Sequence, residues 1–564
     1  MRRREFLQLS TAGIAASLFR PAAGRADDRQ RLRLRGFTID AARLTEKPDY
    51  YRRVIDFCHD WKLNALLFRL ADDQGSAFQF ESHPELVTHE HALTSSQARD
   101  LAEYGRRRDV TIIPEIESFG HTLYITSVSK FAHLADTPPD GQSRFVGICP
   151  VHPDSLALMR DLYAEVAHAF SSPYLHGGCD EVNWGGSAMS RRALESKTSA
   201  EIGGEYLNRL DSLCGELGKE LIVWGDYVAH KEPDILAHLN KRIIVMDWQY
   251  YVTDPQPLAA TAQQVIARGM RVIGAPALIS CEWGPRAGAL TLSNMDAFAD
   301  AYAAIPDDHC LGVIVTNWIP SRYLQNSLWD SIGYAAVALN EGSARAQEDA
   351  LRRFVTRHYG ARWHQGWHRA VSDLYRLTPG RAHCAPQWQL PRLPLPSASD
   401  AELQQSLATP ALDPSPYVSL ASTFRQLRTA VRRNHADFSS FLLSVEYLAY
   451  VAARESQWRE AHIVGDVHGA VAIVKHIADG DRTMLAKLDS EWNVGRFPDS
   501  RGKSEKLVGT TSYDQLVFHV RNAYRYAAEL ARDPAEIQRL LHASHSIPTM
   551  PRSASAPKHI HACT

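Results

Sequence analysis

The chain reads as an α/β protein: a (β/α)8 barrel followed by a mainly helical C-terminal domain. Two observations predict this. Between residues 31 and 342, eight short β-rich runs alternate with longer segments whose apolar residues recur at three- and four-residue spacing, as expected for parallel strands joined by helices. Acidic residues and tryptophans then collect just after those runs, at the end where a barrel of this type builds its site. The competing doubly wound sheet would need a glycine-rich phosphate loop after its first strand, and none is present.

The strand-like runs are 32–39, 65–70, 110–116, 174–177, 221–224, 242–246, 271–273 and 311–316. Helical periodicity is clearest over 51–61, 156–170, 206–217 and 261–267. A length of 564 residues exceeds what one core holds. The barrel is therefore assigned to 27–345, a helix and Pro-rich linker to 346–416, a helical domain to 417–545, and a disordered tail to 546–564. In the helical domain the apolar positions Phe424, Leu427 and Val431, then Phe441, Leu443, Val445, Leu448 and Val451, carry the pattern.

Residues 1–26 are set apart. Arg2-Arg3-Arg4-Glu5-Phe6-Leu7 precede a short apolar run and Ala22-Ala23-Gly24-Arg25-Ala26, which resembles a twin-arginine export signal with a small-residue cleavage site. The expected location is periplasmic or secreted. Lys+Arg 62 against Asp+Glu 64 gives a net charge of -2, so no nucleic-acid partner is expected. No later apolar run is long enough to span a membrane. The eight cysteines are scattered without metal-ligand spacing and read as mostly buried packing residues. His89-Glu90-His91 reads as loop, and His559 to Cys563 as a disordered end. Neither metal nor organic cofactor is expected, and the oligomeric state is left open.

Six predicted strand ends carry polar clusters: Asp72-Asp73-Gln74-Gly75; Glu115 and Glu117 with Gly120-His121-Thr122; His176-Gly177-Gly178-Cys179-Asp180-Glu181; Trp224-Gly225-Asp226; Asp247-Trp248-Gln249-Tyr250-Tyr251; and Asn317-Trp318. Glycoside hydrolysis needs such a set. One carboxylic acid protonates the leaving oxygen, a second group steadies positive charge at the anomeric carbon, and indole rings pack on sugar faces. A single acid at a strand end would only suggest a helix cap.

His176-x-Gly178-x-Asp180-Glu181 resembles the signature of glycoside hydrolase family 20, the β-N-acetylhexosaminidases. Arg35-Gly36 with Asp40 to Arg43, Asn64 with Asp72 to Gly75, and Ile113 to Thr122 are similar to it in the same order. Within the family, Phe119-Gly120-His121, Phe131 to Leu134, Gly178 to Val182 and Val315 to Trp318 resemble the hexosaminidase D-like branch, which lacks the family's N-terminal α/β domain. The resemblance implies an exo-acting, retaining enzyme that removes terminal β-linked GlcNAc or GalNAc from a glycan, with the substrate's own acetamido oxygen as nucleophile. It implies Glu181 as general acid and base, Asp180 as the group that orients the acetamido arm, and His121 with Asp72 as the dyad that tunes the acid. Arg43 would grip sugar hydroxyls, Trp224, Trp248 and Trp318 would wall the subsite, and Asp226 would contact a hydroxyl. His176 would support the loop and Cys179 would pack. Two departures stand out. Gly274 to Leu278 carries no Tyr where the family binds the acetamido oxygen, leaving Tyr250 or Tyr251 as the replacement. Trp318 is followed by Ile319-Pro320 rather than by an acid. The alternatives are a non-catalytic glycan-binding barrel and a hydrolase of other β-glycosides.

Overall fold

Strand alternation decides where each side chain of this protein points. The computed structural model describes residues 32–136, 147–279, 288–377, 413–463, 466–497 and 516–545. Eight parallel strands close on themselves: β1 (Leu34–Asp40), β2 (Ala65–Asp72), β3 (Thr111–Ile116), β4 (Tyr174–His176), β5 (Glu220–Trp224), β6 (Ile244–Asp247), β7 (Arg271–Gly274) and β8 (Cys310–Asn317). Closure runs through β1, which pairs with both β2 and β8; Gly36 lies opposite Ala65 on one side and Ile314 on the other. A Cβ at Gly36 would meet the Ala65 carbonyl and the Ile314 side chain at 2.9 Å, so this crossing needs glycine. All eight strands fall where the sequence placed them, to within two residues at most ends.

Alternate residues divide two cores. Ala65, Leu67, Ile113, Ile222, Trp224, Ile244, Met246, Ile273, Leu311 and Ile314 fill the barrel interior, while their strand neighbours join the larger layer beneath the helices. That layer is covered by α1 (Pro48–Asp60), α2 (Ser95–Arg106), α3 (Pro153–Ala169), α4 (Ser199–Glu216), α5 (Pro255–Ile266), α6 (Ala289–Ala303) and α7 (Trp329–Glu341). Thr94 with Gln97 and Thr198 with Glu201 form capping boxes that start α2 and α4. Between β5 and β6 two short turns, Asp226–Lys231 and Pro233–Ala237, take the place of an α-helix.

His89-Glu90-His91 is not a loop. It lies in a strand, Thr88–Leu93, that pairs with Gly75–Phe78 beyond β2. His89 Nε2 contacts the Ala42 carbonyl at 2.5 Å, and the His91 ring stacks on Phe497. Pairing with the arm of β2 overrode the polar composition.

The chain continues through α8 (Ser343–Arg357), α9 (Gln365–Leu377), α10 (Ser415–Leu427), α11 (His435–Ile463), α12 (Val467–Gly495), α13 (Leu516–Leu530) and α14 (Pro534–His545). The outer barrel core extends into these helices as far as Ala452. Arg496 seals the joint: it is buried, pairs with Glu46 at 3.1 Å and donates to the Tyr323 carbonyl at 2.6 Å. Most of the Pro-rich linker, the tail, the export-type segment, Cys281, Cys384 and Cys563 lie outside the described residues. Cys58, Cys149, Cys179, Cys214 and Cys310 are buried free thiols. Among the described residues no helix is long and apolar enough to cross a membrane.

Candidate active site

The period-two alternation that fills the barrel interior also delivers the site. In β2, Ala65 and Leu67 face inward, so Arg69 follows them into the interior and is completely buried. The register slips between Arg69 and Ala71, and Asp72 then also turns inward, its Oδ2 3.6 Å from Arg69 Nη2. In β3 the inward series Ile113 continues to Glu115 and Glu117, which contact Arg69 Nη1 at 2.5 and 2.8 Å.

Asp180 and Glu181 sit on the loop after β4. Gly178, Cys179 and Glu181 all have left-handed backbone, with φ of 65°, 73° and 47°. Adjacent carboxylates on a regular strand would point to opposite faces; this distorted run brings both to His121. His121 Nε2 lies 2.8 Å from Glu181 and 3.6 Å from Asp180. A Cβ at Gly178 would fall 2.1 Å from Glu117 Oε2, and one at Gly120 would fall 1.9 Å from the Asp180 carbonyl. Neither glycine tolerates a side chain. Glu117 Oε2 accepts the Cys179 N–H at 2.9 Å, and Asp226 Oδ2 accepts the Glu181 N–H at 2.8 Å.

One expected pairing is corrected. The partner of His121 is Asp73, whose Oδ2 lies 2.7 Å from Nδ1. Asp72 is committed elsewhere: Arg43 Nε is 2.9 Å from its Oδ2, and its Oδ1 accepts the Gln74 N–H. The two neighbours leave the end of β2 in opposite directions, so one faces Arg43 and the other His121. Arg43 also reaches Asp40 at 3.3 Å and lies over the Trp318 ring.

The charges do not cancel. Arg43, Arg69 and His121 face Asp40, Asp72, Asp73, Glu115, Glu117, Asp180 and Asp226. Protons must make up the difference. Burial would raise Asp180, but His121 and Arg69 outweigh it and hold this carboxyl well below its ordinary range. Burial would depress His121, but Asp180 and Asp73 hold it well above its usual value, so it is an imidazolium with both nitrogens donating. Burial drives Glu117 far up, helped by Asp180, and pushes Glu115 to about 7 against Arg69. Burial and then Asp180 push Asp226 to about 7 as well.

The aromatic residues split. Trp248 and Tyr250 are half-buried and stacked, their centroids 4.8 Å apart, and the Tyr250 hydroxyl accepts the Trp318 indole N–H at 2.7 Å. Trp224 is not a wall: it is completely buried, donates to Glu115 at 2.8 Å and packs edge-on against Trp318, because it continues the inward series of β5. His176 supports the loop, its Nδ1 accepting the Gly178 N–H at 3.0 Å; burial lowers it to about 3, so it is neutral. Cys179 is buried against the Gly177 carbonyl. The structure thus gathers the expected residues at the C-terminal ends of the strands, with Trp224 and His176 packed together and completely buried. Asp40, Asp73, Glu115 and Glu117 were named at the strand ends without a role, and Arg69 was missed; a lone Arg within the apolar run Leu66 to Ala71 was the available signal. Among the described residues, a grouping with metal-ligand spacing is formed by His133, His152 and Asp154, three residues that take no part in this cluster.

Carboxylates, an imidazolium and indole rings at the C-terminal mouth of a (β/α)8 barrel are the kinds of group that glycoside hydrolysis uses. Residues 33–280 match the family profile described as glycosyl hydrolase family 20, catalytic domain. Among curated proteins, a β-hexosaminidase of Porphyromonas gingivalis is 24% identical over 216 residues, 34% of this chain and 28% of that protein. A β-hexosaminidase of Vibrio furnissii is 26% identical over 254 residues, 38% of this chain and 41% of that protein. The chain therefore spans less than half the length of these relatives. A solved family 20 exo-β-N-acetylglucosaminidase from Vibrio harveyi, in complex with N-acetylglucosamine, is 21% identical with a TM-score of 0.44, covering 56% of this chain and 54% of that one.

Proposed function

We propose that the chain is an exo-acting, retaining β-N-acetylhexosaminidase working by substrate assistance on terminal β-linked GlcNAc or GalNAc. The observation that carries this reading is the convergence of adjacent Asp180 and Glu181 on one imidazolium, with different exposure and surroundings. Asp180, held ionised between His121 and Arg69, suits a group that accepts the acetamido N–H and balances the charge growing on that arm. Glu181 is the more open of the two, 22% exposed against 13%, and suits the group that meets the glycosidic oxygen and then water.

The acetamido oxygen attacks the anomeric carbon while the bond to the leaving oxygen breaks and Glu181 gives that oxygen its proton. An oxazolinium ring results. Water then attacks the same carbon, passes a proton to Glu181 and opens the ring, so the configuration is retained. Arg43 and Asp40 would hold sugar hydroxyls, and Trp248, Tyr250 and Trp318 would pack on the ring. The twin-arginine-like segment Arg2 to Ala26 supports a periplasmic or secreted location as part of the same proposal.

The test is hydrolysis of nitrophenyl β-GlcNAc and β-GalNAc beside the plain glucoside and galactoside, with and without a thiazoline mimic of the intermediate. Release from acetamido sugars alone, blocked by the thiazoline, is the expected result. Release from the plain sugars would remove the role given to Asp180. Asp180→Asn is expected to lower turnover about 100-fold or more, the scale for losing one transition-state hydrogen bond.

A further inference from the structure

Asp226 was expected to touch a sugar hydroxyl, yet both of its oxygens are already engaged within the protein. Oδ2 accepts the backbone N–H of Glu181 at 2.8 Å, and Oδ1 accepts the indole N–H of Trp248 at 3.1 Å. We propose that Asp226 is a positioning residue for the general acid, holding Glu181 in the left-handed backbone that turns its carboxyl toward His121 and the substrate opening. This rests on the assignment of Glu181 above.

Three observations support it. Glu181 has a φ of 47°, a conformation that costs a non-glycine residue about 1 kcal/mol or more and persists only where the surroundings impose it. The restraint comes from the element just beyond β5, since Asp226 opens the turn Asp226–Lys231 two residues after Trp224. The opposite flank of the loop is tied in the same manner: Cys179, also left-handed, gives its N–H to Glu117 from β3. Asp180 is thus suspended between two braced residues. Trp248 fixes the Asp226 carboxyl and itself stacks on Tyr250, which links the aromatic wall to the acid.

Loss of a brace acting through Glu181 weakens proton donation to the leaving group but leaves attack by the acetamido oxygen intact. The loss therefore depends on how much protonation the leaving group needs. The experiment compares kcat/KM of wild type, Asp226→Ala, Asp226→Asn and Trp248→Phe on β-GlcNAc glycosides with dinitrophenyl, nitrophenyl and methyl leaving groups. For Asp226→Ala the expected loss is about 100-fold on the methyl glycoside and below about 10-fold on the dinitrophenyl glycoside. Asp226→Asn keeps one acceptor for the Glu181 N–H, and Trp248→Phe removes the second hydrogen bond together with part of the indole surface offered to the sugar; both should show the same dependence on leaving group at smaller size, and Asp226→Asn keeps the test decisive if Asp226→Ala fails to fold. An equal loss on all leaving groups with raised KM would make Asp226 a sugar contact and overturn the proposal, as would no loss at all. Wild-type inactivity on every acetamido sugar would instead sink the assignment of function.

Discussion

Buried charge is handled differently at the barrel mouth and in the helical region. At the joint between them, Glu46 meets Arg496, and between α11 and α12, Asp481 meets Arg454 at 2.8 Å. Each is one acid against one cation, closed by further hydrogen bonds from Gln325 and Tyr450. At the mouth, three cationic groups face seven carboxylates, five of them buried and two, Asp180 and Asp226, half-buried. A balanced pair can be maintained by geometry alone, whereas the unbalanced cluster holds together only by binding protons. Buried pairs of the first kind are architecture; excess carboxylate gathered at one opening is the arrangement that proton transfer requires.

The sharpest way to break this comparison is to remove one cation from each region. Arg69→Met leaves Glu115, Glu117 and Asp180 facing one another without their shared guanidinium. It should cost about 3–5 kcal/mol in guanidinium unfolding and reduce kcat/KM of the folded fraction by more than about 100-fold, because Asp180 loses its neighbouring charge. Arg496→Met should cost a similar about 3–5 kcal/mol while the folded fraction keeps kcat/KM to within about threefold. If Arg496→Met slows the folded enzyme as much as Arg69→Met does, the two regions are not different in kind.

Much of this was legible in the sequence, and the reason is period two. The eight strands, the Asp180–Glu181 loop, His121, Trp248, Tyr250 and Trp318 follow from strand ends and their polar clusters, and Arg43 from the family resemblance. Carrying the alternation along each strand would also have exposed Arg69 after Leu67 and shown that Glu115 and Glu117, after Ile113, point inward. What could not be read was phase after an irregularity. The slip between Arg69 and Ala71 decides that Asp72 faces Arg43 and Asp73 faces His121, and nothing in the order Asp72-Asp73 reveals it. Trp224 misled for the converse reason. A tryptophan at a strand end signals a sugar wall or a filled barrel equally well, and only its complete burial against Glu115 separates them. His89-Glu90-His91 was misread because pairing beyond β2 is a tertiary event.

A smaller effect sharpens the contrast through pH. Glu115 and Asp226 sit near 7, against ordinary values of 4.5 and 3.8, and burial holds Glu117 well above its ordinary value. Between pH 5 and 7 the folded chain therefore holds protons that the unfolded chain has released, and stability falls as pH rises. His176, lowered to about 3, opposes this below 6.5, since the unfolded chain there binds a proton that the folded chain refuses. Three carboxyls outweigh one histidine, and above 6.5 the opposition ends, so the decline should steepen toward neutrality. Each group contributes up to about 1.4 kcal/mol per pH unit. Unfolding free energies at pH 5, 6, 7 and 8 check this, and Glu115→Gln should flatten the curve. Stability that climbs across the whole range would refute proton storage at the mouth.

The smallest expected effect concerns the one nucleophilic atom inside the braced loop. Cys179 lies between Gly178 and Asp180, so position alone would nominate its thiol for chemistry. Burial pushes that thiol well above its ordinary value, with Glu117 and Asp180 adding to the shift, and its sulfur rests 3.2 Å from the Gly177 carbonyl. It is a packed thiol rather than a thiolate. Cys179→Ala keeps the Cβ and the left-handed backbone and gives up only the sulfur, so it should cost about 1 kcal/mol of stability and leave kcat/KM within about fivefold of wild type. Iodoacetamide should leave the native enzyme active for the same reason. Rapid inactivation by iodoacetamide, prevented by the thiazoline, would place the thiol at the open face of the pocket and return Cys179 to the reacting groups.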